Sequence, residues 1–464
     1  MSERYDAIIV GAGQGGSPLA GRMAASGQRV ALVEREHAGG TCINEGCTPT
    51  KTMIASARVA HLARRAADYG VDVGPARDVA VDLIRVRQRK RDIVQRFRSG
   101  SEARLRSADT LDLIAGTARF TAPHALDVRL NDGGRRELTA PTIVLDVGTR
   151  PAVPPIAGLG DLPYLTNASL MELDRLPEHL VVLGGGYVGV EFGQMFRRFG
   201  SRVTLVQRGP QLLAREDADV AGALAEILRD EGVAIWLNAD ARRVEAAPGG
   251  VRLTADVEGE ERSIDGTHLL VAAGRRPNSE DLGLEHTGIT PTRRGYIPVD
   301  DRLRTEIEGL YALGDVTGGP AFTHTSYDDY RILASDLLGD GEHGGRNQRL
   351  LAYTVFSDPQ LGRVGLTEQQ ARAAGHDVQV ATLPMSHVAR ALETDETRGF
   401  LKAVVDVATQ RILGAAVLGP EGGELAAALQ IAILGDLPYA ALRDAPIAHP
   451  TYAESLNNLF AALP

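Results

Sequence analysis

Ala7-Ile8-Ile9-Val10-Gly11-Ala12-Gly13-Gln14-Gly15-Gly16 is the stretch on which the fold turns. Its four apolar residues read as a buried parallel strand, and they run straight into G-x-G-x-x-G. Gly11 permits a tight turn, Gly13 lets the backbone approach a pyrophosphate, and Gly16 lets the next helix pack close. That helix, bearing Ala and Leu, is predicted to about Ser26, with its N-terminus toward the phosphates. Arg29 to Val33 predicts a second strand ending in Glu34, an acid placed to accept bonds from ribose hydroxyls. A bare glycine motif is weak evidence and fits a simple loop. Strand, helix and acid in this order predict a dinucleotide-binding unit.

The pattern repeats. Leu180-Val181-Val182-Leu183 leads into Gly184-Gly185-Gly186-Tyr187-Val188-Gly189, with Gly184, Gly186 and Gly189 at the motif positions. Aligned on the first glycine, Val30 to Arg35 lies opposite Val203 to Arg208. Two such units imply two dinucleotides, one able to be a permanent flavin and the other a transient nicotinamide. Where the first unit has Glu34, the second has Gln207. A neutral side chain there removes the repulsion of a 2′-phosphate, and Arg208, with Arg215 as a second partner, can pair with it. NADPH is therefore expected over NADH, which remains possible.

The only two cysteines, Cys42 and Cys47, fall in Gly39-Gly40-Thr41-Cys42-Ile43-Asn44-Glu45-Gly46-Cys47-Thr48-Pro49-Thr50-Lys51. A structural disulfide gains most by closing a long loop, and this one is short. A metal site needs further ligands, and no His-x-His or second Cys pair lies nearby. Two unrelated buried thiols fit poorly with one glycine-flanked window. A redox-active pair is the expectation, and no metal site is expected. A helix predicted from Thr48 to about Asp68 puts Lys51 on one face with Cys47. A lysine there lowers a thiolate's pKa, holds a flavin edge, or is simply solvated.

The composition is that of a globular protein: 464 residues, 44% hydrophobic, net charge −10. The charge argues against general nucleic-acid affinity. No apolar run approaches the ~18 residues of a membrane span. The N-terminus, from Met1, lacks the build of a signal peptide, so the cytoplasm is expected. Residues 79–107 carry many basic side chains, but Val81, Ile84, Ile93, Val94 and Phe97 suggest an amphipathic helix with a solvated basic face. Short strands are expected over 111–146, and Val153-Pro154-Pro155-Ile156 reads as a linker. Leu269 to Asn278, with Gly274, reads as a strand and turn closing the second unit. Gly309 to Asp315 is a strand ending in an acid, which either bonds a polyol or merely turns the chain. Thr323 to Leu338 is a helix whose start can bring backbone donors to a flavin ring; His324 there reads as packed or capping. After about 346 the chain becomes a small α+β unit, with strands Tyr353–Phe356 and Gly399–Asp406 and helices Glu368–Ala374 and Leu425–Leu434. It ends in Ala448-His449-Pro450-Thr451-Tyr452-Ala453-Glu454-Ser455.

Together these segments resemble the class I flavoprotein disulfide reductases, which include dihydrolipoamide dehydrogenase, glutathione reductase and mercuric reductase. GGTCINEGCTPTK is the most specific match; both glycine motifs, GRRPN, YALGDV and HPTYAE follow in the family's order. The resemblance implies an α/β chain of two Rossmann-like domains and a C-terminal α+β dimerisation domain. Residues 1–150 and 276–345 would bind FAD through Gly11, Gly13, Gly16, Glu34, Thr41, Lys51 and Asp315. Residues 151–275 would bind the nicotinamide cofactor through Gly184, Gly186, Gly189, Gln207, Arg208 and Gly274, with Tyr187 gating the pocket. Residues 346–464 would form the interface of a homodimer with a shared active site. Lys51 would pair with Glu191 beside the flavin. Cys47 would be the charge-transfer thiol, Cys42 the interchange thiol, and His449, oriented by Glu454, would shuttle protons in the other subunit.

The substrate implied is a small molecule or a metal ion. Mercuric reductases carry a C-terminal cysteine pair, whereas this chain ends Phe460-Ala461-Ala462-Leu463-Pro464. Phe322 to Ile332 and Ser455 to Phe460 look most like the RclA-type group, associated with reactive-chlorine stress and Cu(II) reduction, with Thr323-His324 replacing its usual Thr-Tyr. The alternatives are a dihydrolipoamide dehydrogenase or another low-molecular-weight disulfide reductase, and a flavin redox sensor that does not turn over.

Overall fold

The computed structural model describes residues 2–339 and 341–463; Met1 and Pro464, at the ends of the terminal segments read above, lie outside the described residues. The chain forms two compact units: Met1–Met53, Arg85–Ala152 and Gly274–Arg349 in one, and Ile54–Ile84, Val153–Ala273 and Leu350–Pro464 in the other.

In the first unit, Ala7–Val10 is buried throughout, inside an eight-stranded sheet. Val30–Glu34 and Thr142–Leu145 flank it in parallel, and Leu310–Ala312 adds beyond the latter. On the other side Leu111–Ala122 starts parallel to Val30–Glu34 and continues as an antiparallel ribbon. That strand is far longer than the short strands expected there. Alternate side chains feed two cores: Ile8, Val10, Val33 and Phe120 on one face, Ile9, Leu19, Met23 and Leu32 on the other. Fully burying each such side chain stabilises by about 1.5–3 kcal/mol. The turn after the strand requires glycine: Gly11 has φ +103°, and a Cβ there would lie 2.2 Å from the Asp146 carbonyl oxygen. The helix Gly16–Ala25 then begins, with Ser26 as its C-cap.

The second unit repeats this start. Val233–Trp236, Arg202–Val206, His179–Leu183 and His268–Val271 form a parallel sheet in that order. Helix Tyr187–Phe199 follows the glycines and is mostly buried. Ala239–Ala247, Gly250–Val257 and Glu260–Gly266 form an antiparallel meander with no counterpart among the expected elements. C-terminally, Ala352–Val355, Gln360–Gly365, Ile412–Gly419, Phe400–Asp406 and Val378–Pro384 make an antiparallel sheet in that order. It packs over Leu401, Val417, Leu429, Leu459 and Phe460.

The basic helix spans Leu83–Arg106, but of the apolar residues expected to face inward only some do. Leu83, Lys90, Val94 and Leu105 are buried, whereas Ile84 and Phe97 are 55% and 53% exposed. Positions 83, 90, 94 and 105 share one face at 3.6 residues per turn, and a lysine's long apolar stem lets it lie there. Among the described residues, no helix is long and apolar enough to cross a membrane, and no group of three or more His, Cys, Asp or Glu gathers to hold a metal ion.

Candidate active site

Cys42 lies on the short helix Gly40–Asn44, and Cys47 opens the helix Cys47–Arg64. A Cβ at Gly46 would lie 2.9 Å from the Thr41 carbonyl oxygen, so a larger residue would push the two helices apart. Both cysteines are free, Cys47 exposed and Cys42 half-buried. Their side chains are hydrogen-bonded, and this bond is the largest cause that raises the Cys42 pKa; burial and the charge of a Cys47 thiolate add to it. The Thr323 hydroxyl and the Lys51 charge pull the other way. Thr323 Oγ1, at the first turn of helix Thr323–Leu338, is also 3.4 Å from Cys47 Sγ. His324 stacks on Phe322 with ring centroids 5.5 Å apart.

The cysteine segment docks on the first glycine loop. The Gly39 amide donates to the Ala12 carbonyl at 2.8 Å, and Gln14 Nε2 donates to the Gly39 carbonyl at 3.0 Å. From the basic helix, Arg98 Nε donates to Asn44 Oδ1 at 2.8 Å and Arg89 Nη1 to the Thr52 carbonyl at 2.8 Å. These two arginines brace the redox segment rather than only solvating a surface. Lys51 lies one turn beyond Cys47, and Thr41 is exposed beside Cys42.

The loop itself suits a dinucleotide. The amides of Gly11, Ala12 and Gly16 are bonded to the Val33 carbonyl, Glu34 and Asp146. Those of Gly13, Gln14 and Gly15 meet no acceptor among the described residues, and they sit at the start of a helix. Three such donors fit a pyrophosphate. Glu34 Oε2 accepts from Ala12 N at 2.8 Å, and Oε1 accepts from Glu36 N at 2.7 Å, which fixes the carboxylate at the strand end. Asp315 is held by Thr149 Oγ1, which donates to it at 2.9 Å, while Arg275 Nε lies 3.9 Å away. Burial raises the Asp315 pKa. Gly274, at φ +122°, passes its carbonyl to the Ala152 amide at 2.9 Å.

In the second unit Gln207 Oε1 accepts from Gly185 N at 2.9 Å. This is the same contact as Glu34 with Ala12, so the repeat read in the sequence is also a repeat in hydrogen bonding. A Cβ at Gly186 would meet nothing within 4 Å, whereas one at Gly189 would lie 2.0 Å from the Gly184 carbonyl oxygen. Tyr187 begins the helix, and Arg208 is exposed.

Further along that helix, Glu191, Gln194 and Arg198 share a face and grip the segment Phe356–Asp358. Glu191 Oε1 accepts from Phe356 N at 2.9 Å. Gln194 pairs with the Asp358 backbone in both directions, each bond at 2.8 Å. Arg198 bonds Asp358, and it donates to Glu231 at 2.9 and 2.7 Å. Burial pushes Asp358 and Glu231 up, but Arg198, with Arg398 in second place at Glu231, outweighs it and both carboxyls end below their ordinary values. Stripping a buried pair of its cation costs about 3–5 kcal/mol. Arg198→Met is therefore expected to lower stability by about that amount near neutral pH. Because the two pKa values are depressed, the stabilisation is present above about pH 4 and lost as pH falls below it. Denaturant unfolding at several pH values should show the gap between variant and parent closing in acid.

His449 Nδ1 lies 2.8 and 2.9 Å from the two oxygens of Glu454, which raises the histidine pKa. The Thr451 amide donates to Glu454 Oε2 at 3.4 Å. Within this chain His449 is exposed and Glu454 half-buried, with Nε2 left over for another group.

Residues 5–329 match the family model for pyridine nucleotide-disulphide oxidoreductase, and residues 351–460 match the dimerisation domain of the same family. The chain is a pyridine nucleotide-disulphide oxidoreductase. This oxidoreductase is 41% identical over 461 residues to the probable pyridine nucleotide-disulfide oxidoreductase RclA of Escherichia coli, covering 99% of each chain. It is 34% identical to a mercuric reductase of Bacillus cereus, over 97% of this chain and 70% of that one. Its fold superposes on the Cu(II) complex of the HOCl-induced flavoprotein disulfide reductase RclA from Escherichia coli with TM-score 0.89, at 39% identity and full coverage of both. Its family uses FAD and NAD(P)H. The oxidoreductase therefore has the expected fold: parallel dinucleotide-type sheets and a C-terminal dimerisation domain, which supports a homodimer. The helix Gly422–Leu434 in that domain leaves Ile431 71% and Leu434 68% exposed.

Sequence reading missed Thr323 as a cysteine neighbour, Thr149 and Arg275 as partners of Asp315, and the Phe356–Asp358 grip on Glu191. Only the last had a local signal, the polar spacing Glu191, Gln194, Arg198 on an otherwise apolar helix.

Proposed function

We propose that this oxidoreductase draws electrons from NADPH and delivers them through Cys42 and Cys47 to a small oxidant, a Cu(II) or Hg(II) ion or a low-molecular-weight disulfide, in the cytoplasm. The observation that carries this is the hydrogen-bonded pair Cys42–Cys47, docked on a glycine loop with free amides and touched by Thr323. The mercuric reductase relative and the Cu(II) complex of the RclA structure support a metal ion as oxidant. Gln207 in place of an acid supports NADPH.

Bound FAD would supply the hydride-accepting chemistry that couples NADPH oxidation to two-electron reduction of the Cys42–Cys47 disulfide. The amides of Gly13, Gln14 and Gly15 would hold its pyrophosphate, Glu34 its ribose and Asp315 its polyol. Tyr187 would cover the nicotinamide pocket, with Gly184, Gly186 and Gly189 below the second pyrophosphate. With a disulfide as substrate, Cys42 attacks one sulfur, and the departing thiolate takes a proton from His449 of the partner subunit. Cys47 then attacks Cys42 Sγ in the mixed disulfide and releases the second thiol. Two substrate thiols form, and the protein disulfide is restored. With Cu(II), each of two ions takes one electron as the dithiol closes to the disulfide and loses two protons.

The test is oxidation of NADPH and NADH by the FAD-loaded protein with Cu(II), Hg(II), lipoamide and glutathione disulfide side by side. NADPH is expected to exceed NADH in kcat/KM by about tenfold or more, one lost repulsion being worth about 1.4 kcal/mol. Fast turnover with either metal ion supports the proposal's first branch, and preference for one disulfide makes the protein a thiol-maintenance enzyme. NADH better by tenfold, or no turnover with any of the four, refutes the reading.

A further inference from the structure

The strand Thr142–Leu145 ends in Asp146, which is 7% exposed. Its Oδ2 accepts the Gly16 amide at 2.7 Å, directly below the glycine loop. A Cβ at Gly13 would lie 2.6 Å from that oxygen and one at Gly16 2.8 Å, while a Cβ at Gly314 would lie 3.1 Å from Oδ1. The carboxyl is thus wedged between the loop read as the pyrophosphate site and the turn that carries Asp315.

The largest charge effects on it come from groups of its own sign. Asp315 follows the strand Leu310–Ala312, Glu34 ends Val30–Glu34, and Asp329 lies on the helix Thr323–Leu338; each acts to raise the Asp146 pKa. The glycine loop brings no charged side chain. Nearby guanidiniums are engaged elsewhere: Arg349 by Asp328 and Asp329, and Arg275 by Thr149, 3.9 Å from Asp315. No cation bonds Asp146 among the described residues. Burial is the largest cause that holds this carboxyl well above its ordinary value, and the Gly16 amide opposes it. A dinucleotide's pyrophosphate would bring two further negative charges to the same helix start.

We propose that Asp146 links flavin retention to a proton: FAD is held by the form in which this carboxyl is neutral, so binding at a pH where the flavin-free carboxyl is ionised takes up a proton there and release returns it to solvent. The inference rests on the reading of the Gly11–Gly16 loop as the FAD site. A neutral Asp146 keeps its bond from Gly16 and adds no repulsion to the pyrophosphate. An ionised one competes with the cofactor for the same positive end of the helix.

The sign follows from linkage. Bound FAD raises the carboxyl's pKa further, so affinity is highest in acid and falls as pH rises above the pKa of the flavin-free protein, by at most tenfold per pH unit. The experiment is FAD dissociation from the holoenzyme, followed by flavin fluorescence in the filtrate, between about pH 6 and about pH 9. Parent protein should lose at least about tenfold in affinity across this range, and Asp146→Asn should hold FAD with a flat profile. Calorimetric titration of FAD into the flavin-free parent, at a pH where the parent's affinity is falling and in buffers of different ionisation enthalpy, counts the protons without any variant. An Asp146→Asn profile that parallels the parent, or no proton uptake in calorimetry, overturns the proposal while leaving the FAD site intact. A parent protein that takes up no FAD overturns the site reading and this proposal with it.

Discussion

Cys42→Ser should purify with FAD bound and still lose disulfide-dependent NADPH oxidation by on the order of 10⁴-fold, the usual scale for removing a nucleophile. FAD retention follows because Cys42 is not among the groups that face the glycine loop; the docking bonds there come from Gly39, Ala12 and Gln14. The loss follows from the pair's chemistry. A serine oxygen neither forms a mixed disulfide nor closes a disulfide with Cys47. The structure also distinguishes the two thiols. Cys42 is the one whose proton is held tightly, by the bond with Cys47, by burial and by the charge beside it. The negative charge of the reduced pair therefore settles away from Cys42, and this thiol needs a base before it can attack. Parallel assays with oxygen as sole acceptor separate flavin-only oxidation from dithiol chemistry. Undiminished disulfide turnover in Cys42→Ser would sink the proposed mechanism.

The fold was legible where its determinants are local. A strand and a glycine turn lie within ten residues, so Ala7–Gly16 and Leu180–Gly189 could be read directly, and even the repeat of Glu34 by Gln207 has the same hydrogen bond in both copies. His449 and Glu454 are five apart, and they do meet. What stayed hidden depends on distant partners. Thr149 and Asp315 are 166 residues apart, and Cys47 and Thr323 are 276 apart; neither threonine differs locally from any other. Asp146 looked like the end of a strand, because nothing in its own neighbourhood says that Gly13, Gly16 and Gly314 close over it. The meander of Ala239–Gly266 has a period-two signal in its middle strand alone, where Val251, Leu253, Ala255 and Val257 are buried; the two strands beside it are rich in charge and carry little of that pattern. In the basic helix, counting apolar residues pointed to Ile84 and Phe97. Tertiary packing kept the expected Val94 inside but turned Leu83 and Lys90 inward in place of those two.

The proton that Cys42 holds needs an acceptor, and this sets the largest effect expected outside the cysteines. His449→Gln should reduce turnover with a disulfide by about 10²–10⁴-fold, the range for a positioned acid–base group, while NADPH still reduces the protein at the parent rate in anaerobic stopped flow. Glu454 fixes the role of the ring. Its carboxylate accepts a hydrogen bond from Nδ1–H, at 2.8 and 2.9 Å, which leaves Nε2 as the working nitrogen in the proposed reaction. It also raises the His449 pKa, first through that bond and then through its charge. The acid limb of the activity profile therefore lies above the ordinary histidine range: the ring must lose its proton before it can take one from Cys42. Glu454→Gln removes the charge, so the His449 pKa falls and the limb should move to lower pH, with a smaller loss of rate than in His449→Gln. A merely structural Glu454 would lower activity evenly across pH and leave the limb in place. His449 is exposed within its own chain and lies in the dimerisation domain, which fits the proposal that it serves the partner's cysteines. Mixing His449→Gln with Cys42→Ser subunits gives the sharpest form of the test. If each protomer's histidine serves the other's cysteines, a mixed dimer pairs one intact Cys42 with one intact His449 only when they lie across the interface, and activity reappears in the mixture. A mixture as inactive as its two parents, with subunit exchange verified by mass, would rule out a histidine that serves the cysteines across the interface.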